Sequence, residues 1–228
     1  MHVGERLNSI THLVGAVLSV AGLATLVTMG AVEGDAYKVV SFSVYGAMLF
    51  VLYAISTLYH SVRDPRVKAV LQKCDHSAIY LLIAGSYTPF TLVTLVTLRG
   101  PWGWSLFGVS WGLAALGIVQ ELTLGRRTRS VSMVLYVLMG WLALVAVRPL
   151  LEALPAAGTA WLVAGGVIYS AVSTSSSTTS ASGTGMVSGT CSYWRAVCVN
   201  SSASRAMSRD VHGGEMQLKA SQRVCIAR

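Results

Sequence analysis

From Leu13 to Met29 the chain runs seventeen residues without a charged side chain, and mainly apolar runs of similar length recur along the sequence. The others cover about Val39–His60, Asp75–Leu98, Trp104–Leu122, Val131–Val147 and Ala156–Val172. A helix needs roughly 17–25 mainly apolar residues to cross the hydrocarbon core of a bilayer. Repeated stretches of that length leave little choice of architecture. In lipid every backbone polar group must be satisfied within the segment, and a helix does this alone. The expectation is an all-α, polytopic transmembrane helical bundle over residues 1–172, followed by a different region over 173–228.

Composition agrees. Only 11% of the 228 residues are charged and 54% are hydrophobic, whereas an ordinary soluble domain carries about 25% charged residues. The first apolar run lacks a small-residue cleavage site and is followed by further spans, so it reads as a retained helix and not a signal peptide. The formal net charge of +8 is concentrated after Arg195 and in two connectors. That distribution reads as the positive-inside pattern of a membrane protein, with membrane lipids and no nucleic acid as its partners. The four cysteines form no CxxC pair, which leaves neither a disulfide framework nor a thiolate zinc site supported.

Orientation follows from the basic residues. The N-terminal segment carries Arg6, the connector Ser61–Lys73 carries Arg63, Arg66, Lys68 and Lys73, and the loop after the fourth run carries Arg126, Arg127 and Arg129. The alternate loops carry Lys38, Arg99 and Arg148, one each. The N-terminus is therefore expected in the cytoplasm of a multi-pass protein of the plasma (inner) membrane. His12, His60, Asp75 and Glu121 then all fall near the cytoplasmic ends of their helices, with His12 standing isolated from the rest.

Ionisable side chains at such depths are functional candidates by default. Ser56 and His60 are spaced i, i+4 and share a helix face, and Asp75 opens the next run after a short connector. A neutral imidazole ligates metals readily, and a nearby carboxylate orients a ligand or a bound water. The plainer alternative makes His60 and His76 interfacial residues and Asp75 a helix N-cap, a position where Asp is favoured. Spacing leaves both open. Pro89, inside the third run, is expected to kink its helix, with Ser86 and Thr88 available to the freed carbonyl.

Four segments carry a family resemblance: Glu5-Arg6-Leu7-Asn8-Ser9-Ile10-Thr11-His12, Ser56-Thr57-Leu58-Tyr59-His60, Asp75-His76-Ser77-Ala78-Ile79-Tyr80 and Ile83-Ala84-Gly85-Ser86-Tyr87-Thr88-Pro89-Phe90. In this order, over about Glu5–Tyr169, the sequence resembles the hemolysin III family, the bacterial branch of the progestin and adipoQ receptor proteins. The resemblance implies a seven-helix fold, of which about six helices are present here, and a zinc site near the cytoplasmic face. It implies His60 as a metal ligand, Ser56 as its companion and Asp75 as the partner of a metal-bound water. The reaction it suggests is metal-dependent hydrolysis of a lipid amide or ester, with cytolysis or receptor-like lipid sensing as the alternatives.

The family's two remaining ligands are histidines of an HxxxH motif on the seventh helix. No two histidines of this sequence are four residues apart. After Ser170 the composition turns Ser/Thr-rich and then basic, which reads as a disordered tail or as a shifted reading frame. When each codon of Gly183–Val199 lends its last base to the first two of the next, the genetic code permits His-Gly-His-Gly-Ile-Trp-His-Leu-Phe-Val-Leu-Ala-Gly-Ser-Val-Cys. That peptide contains HxxxH and starts an apolar helix. The expectation for the chain as it stands is weak zinc binding or none.

Overall fold

The computed structural model describes residues 5–95, 100–124 and 129–148, with the isolated positions 151, 160, 163, 164 and 167. Apart from those isolated positions the sixth apolar run lies outside them, as does the whole region 173–228. The described residues form helices joined by turns, with no strand among them. We number the α-helices α1 (Glu5–Val32), α2 (Ala36–Ser61), α3 (Pro65–Pro89), α4 (Pro101–Thr123) and α5 (Arg129–Gly140). A π-helical turn, Phe90–Leu95, extends α3, and a 3₁₀ segment, Leu142–Ala146, follows α5.

Local chemistry sets the boundaries. At the α1–α2 turn Gly34 takes φ +68°, a left-handed conformation that side chains other than glycine's rarely adopt. Asp35 then caps α2 by accepting the Lys38 amide at 3.1 Å. Lys38, itself buried, pairs with Glu33 and reaches Asp35 at 3.7 Å. At the other end of the bundle the connector shrinks to Val62–Asp64. Asp64 accepts the amides of Arg66 and Val67 at 2.8 and 3.2 Å, with Pro65 in the first turn, where its missing N–H costs nothing. The helix thus starts ten residues before the apolar run expected at Asp75. Asp64, not Asp75, is the N-cap.

The helices α1, α2, α3 and α4 are successive antiparallel neighbours. The pairs Ser9–Ser61, Ser56–Asp75 and His76–Glu121 mark one end of the bundle, which is also the end of the basic connectors. α5 returns against α4 through Gln120–Ser132 and runs parallel to α3 through Tyr136–His76 and Tyr87–Gly140. Apolar packing fills the seams: Ala16, Leu26, Phe42, Tyr45, Leu49 and Tyr53 between α1 and α2, and Tyr80, Ile83, Ala84, Ala114 and Met139 among α3, α4 and α5.

The distribution of polarity is that of a membrane protein. On α1, Leu7, Ile10, Leu13, Val14, Val17 and Leu18 are each more than half exposed, while Ser9, His12 and Ser19 are buried. Water would select the reverse; lipid selects this. α1, α2 and α4 are each long and apolar enough to cross a membrane. α3 carries Arg66, Lys68 and Lys73 on its early turns, and its apolar part continues through Pro89 into the π-helical turn. Around that break the hydroxyls of Ser86, Thr88 and Thr91 bond to the carbonyls of Ile83, Ala84 and Tyr87.

The fifth apolar run is not one helix. α5 stops at Gly140, and the 3₁₀ segment begins at Leu142. The Tyr87 hydroxyl fills the break, donating to the Gly140 carbonyl at 2.9 Å and accepting the Ala143 amide at 3.0 Å.

Candidate functional site

Two polar clusters lie at the basic end, and they are built on different faces of α3. Asp75 and His76 are adjacent in sequence, so on a helix their side chains leave the axis about 100° apart. Asp75 turns to α2 and His76 to α4.

In the first cluster the Ser56 hydroxyl donates to Asp75 Oδ1 across the α2–α3 interface. Ser56 is buried. His60 lies one turn further along the same face of α2. Its Nδ1 is buried without a hydrogen-bond partner among the described residues. The Tyr59 ring meets the His60 imidazole edge-on at 4.8 Å. The three residues singled out from the sequence therefore lie along one interface: Ser56 and Asp75 in contact, His60 beside them.

His12 is not isolated. Its ring lies parallel to that of His60, with centroids 5.5 Å apart and planes 3° apart. It is 5% exposed, and its Nδ1 is likewise without a partner. A glycine makes the approach possible: a Cβ on Gly15 would stand 2.7 Å from the Tyr53 ring, which in turn flanks His12 at 5.9 Å. One signal for His12 was present in the sequence. Glu5, Ser9, His12, Ala16 and Ser19 recur at spacings of three and four residues, placing the polar groups of α1 on its inner face.

The second cluster ties three helices together. His76 Nδ1 lies 2.8 Å from Glu121 Oε1, and the Ser132 hydroxyl of α5 donates to Glu121 Oε2 at 3.1 Å. Gln120 donates to Ser132 at 3.1 Å, and the Tyr136 hydroxyl donates to the His76 carbonyl at 2.9 Å. Lys73 caps the end of α4 through the Leu122 carbonyl at 3.0 Å, a cation placed where the helix dipole is negative. His12, His60, Asp75 and Glu121, expected at one depth, thus divide between two sites.

Zinc is the group that the sequence resemblance brings to the first cluster. Catalytic zinc usually takes three protein ligands and one open position. Among the described residues no three His, Cys, Asp or Glu side chains are grouped to hold a metal ion. His60 offers an unsatisfied nitrogen, but the described residues do not fit a complete zinc centre.

Comparison with known proteins agrees with the helical membrane architecture. A family model described as haemolysin-III related matches residues 2–175. The chain is 48% identical over 166 residues to Hemolysin-3 of Bacillus cereus, across 73% of this chain and 74% of that one. It is 42% identical over 166 residues to the Hemolysin-3 homolog of Bacillus subtilis (strain 168), across 73% and 76%. Monocyte to macrophage differentiation factor of Homo sapiens is 27% identical over 168 residues, across 71% of this chain and 66% of that protein. No solved structure matches. The chain belongs to the haemolysin-III related family, as a multi-pass membrane protein.

Proposed function

We propose that Ser56, His60 and Asp75 mark the family's site for metal-dependent hydrolysis of a lipid amide or ester, and that the reaction is impaired in this chain. The observation that carries this reading is the Ser56 hydroxyl bound to Asp75 beside the unsatisfied Nδ1 of His60. A buried polar atom left without a partner costs about 1–3 kcal/mol, and such a cost persists where a ligand relieves it. His60 supplies the nitrogen, Asp75 a carboxylate that orients what binds there, and Ser56 fixes the carboxylate. With one of three family histidines present, zinc is held weakly or not at all. The protein sits in the plasma (inner) membrane with the N-terminus and this cluster at the cytoplasmic face, the side that the basic connectors favour.

Metal analysis of the purified full chain, beside His60→Ala, tests the reading. Substoichiometric zinc that falls further in the variant is expected. Tight zinc at one per chain would overturn the impairment, and retention unchanged in His60→Ala would remove His60 from the site.

A second reading is membrane lysis, favoured by 48% identity to a protein named Hemolysin-3. It separates cleanly from the first. Release of a trapped dye from vesicles by the full chain, unchanged in His60→Ala and Asp75→Asn, assigns lysis to the helical bundle and not to this cluster. No release at any protein concentration rejects lysis.

A further inference from the structure

The first cluster contains a buried imidazole that the proposed reaction does not use. His12 is 5% exposed, and it touches His60 through a parallel ring contact, not through a hydrogen bond. We propose that His12 is a positioning residue that fixes the orientation of the His60 ring. This rests on the reading of His60 as the reactive imidazole of the site.

A working histidine is ordinarily oriented by the hydrogen bond of its second ring nitrogen, given to a carboxylate or carbonyl. His60 Nδ1 makes no such bond among the described residues. The imidazole χ2 torsion is broad and roughly two-fold by itself, so something else must select one setting. Two ring contacts are available: His12 lies parallel to His60 at 5.5 Å, and Tyr59 meets it edge-on at 4.8 Å. Tyr59 is the neighbour of His60 on α2 and moves with the same backbone. His12 comes from a different helix, so of these two ring contacts it is the one that references the ring to the rest of the bundle.

α1 is built to deliver that reference. At the basic end Lys68 of α3 pairs with Glu5. Further along, the hydroxyls of Ser9 and Ser61 are 2.7 Å apart. His12 then meets His60, and beyond it Gly15 admits the Tyr53 ring. Glu5, Ser9 and His12 occupy one face of α1, so two polar contacts and one close approach bracket the ring pair and lock its register.

The test uses the full chain in lipid nanodiscs with nitrogen-15 in its histidine rings. The sequence has five histidines, and loss of a signal in His60→Ala assigns that ring. Wild type and His12→Phe, which keeps a flat ring without nitrogens, are expected to give one sharp His60 signal. His12→Ala and the volume-filling His12→Leu are expected to give a doubled or exchange-broadened one. If His12→Ala does not fold, His12→Leu decides. A single sharp His60 signal in the folded Ala or Leu variant overturns the proposal, and so does doubling in His12→Phe. The zinc content of the full chain against His60→Ala tests the metal reading separately: retention unchanged in that variant sinks that reading, while line doubling still decides the role of His12.

Discussion

Glu121 Oε1 and His76 Nδ1 are 2.8 Å apart, and Glu121 is 4% exposed. The carboxylate also takes the Ser132 hydroxyl, so one side chain of α4 holds both α3 and α5. Removing a carboxylate that serves two partners leaves each to find another, at about 1–3 kcal/mol for a buried group, and less at His76, which reaches the surface. Glu121→Ala is expected to destabilise the bundle by about 3 kcal/mol, and Ser132→Ala by about 1 kcal/mol. Unfolding by a denaturing detergent measures both. Equal losses would mean that the carboxylate is not the centre of this junction.

Tyr87 joins two irregular segments. Its hydroxyl serves the Gly140 carbonyl and the Ala143 amide where α5 gives way to the 3₁₀ segment. Its ring is partly buried, packed against the core formed by α3, α4 and α5. Tyr87→Phe keeps the ring and removes both bonds, leaving a backbone carbonyl and amide to find others. The expected loss is about 2 kcal/mol, within the range for an unsatisfied buried group. Amide hydrogen exchange at Ala143 should accelerate while exchange in the middle of α2 is unchanged. Uniform acceleration through both would show that Tyr87 supports the whole bundle and not this break.

The helices were legible because lipid leaves a strong pattern: uncharged runs of membrane length mark α1, α2 and α4 directly. The start of α3 was harder. Arg66, Lys68 and Lys73 break the apolar pattern, although Asp64-Pro65 already carried the cap and first-turn residue that begin the helix. Asp75 consequently stands in the middle of a turn of helix, free to face α2, and this strengthens its place beside Ser56. The Ser56–His60 face was readable from an i, i+4 spacing. The partners of His60 and His76 were not, because ring contact with α1 and hydrogen bonding to α4 are tertiary events. The break at Gly140 was hidden for the same reason: its carbonyl is satisfied from another helix.

The α1–α2 approach depends on the absence of a side chain. A Cβ at Gly15 would lie 2.7 Å from Tyr53, whose ring is buried and has little room to give. Gly15→Val is expected to cost about 1–3 kcal/mol, the range for overpacking a filled interior. It should also move α1 away from α2 at the level of the two histidines. A cysteine pair at Ser9 and Ser61, whose hydroxyls are 2.7 Å apart, should cross-link in the parent chain and several-fold more slowly with Gly15→Val. An unchanged rate would mean that the Tyr53 ring yields and the helices do not.

As a metal ligand, the role proposed for it, His60 would need partners that the described residues do not supply, and the coding DNA decides whether they were lost by a shift of frame. In the shifted frame the last base of the Gly185 codon precedes the AT of Met186, and the last base of the Gly189 codon precedes the AC of Thr190. Histidine is read only when the preceding base is C. Both glycine codons must therefore be GGC for the HxxxH motif to be recovered. Met186–Val187 gives Gly and Tyr193–Trp194 gives Leu whatever the third bases are. The expected result is GGC at both positions. Restoring the frame should then raise zinc content from a fraction toward one per chain, and His60→Ala in the restored protein should lower it again. Any other base at the end of either glycine codon ends the frame-shift reading, and a restored protein without added zinc would remove His60 from the proposed metal site.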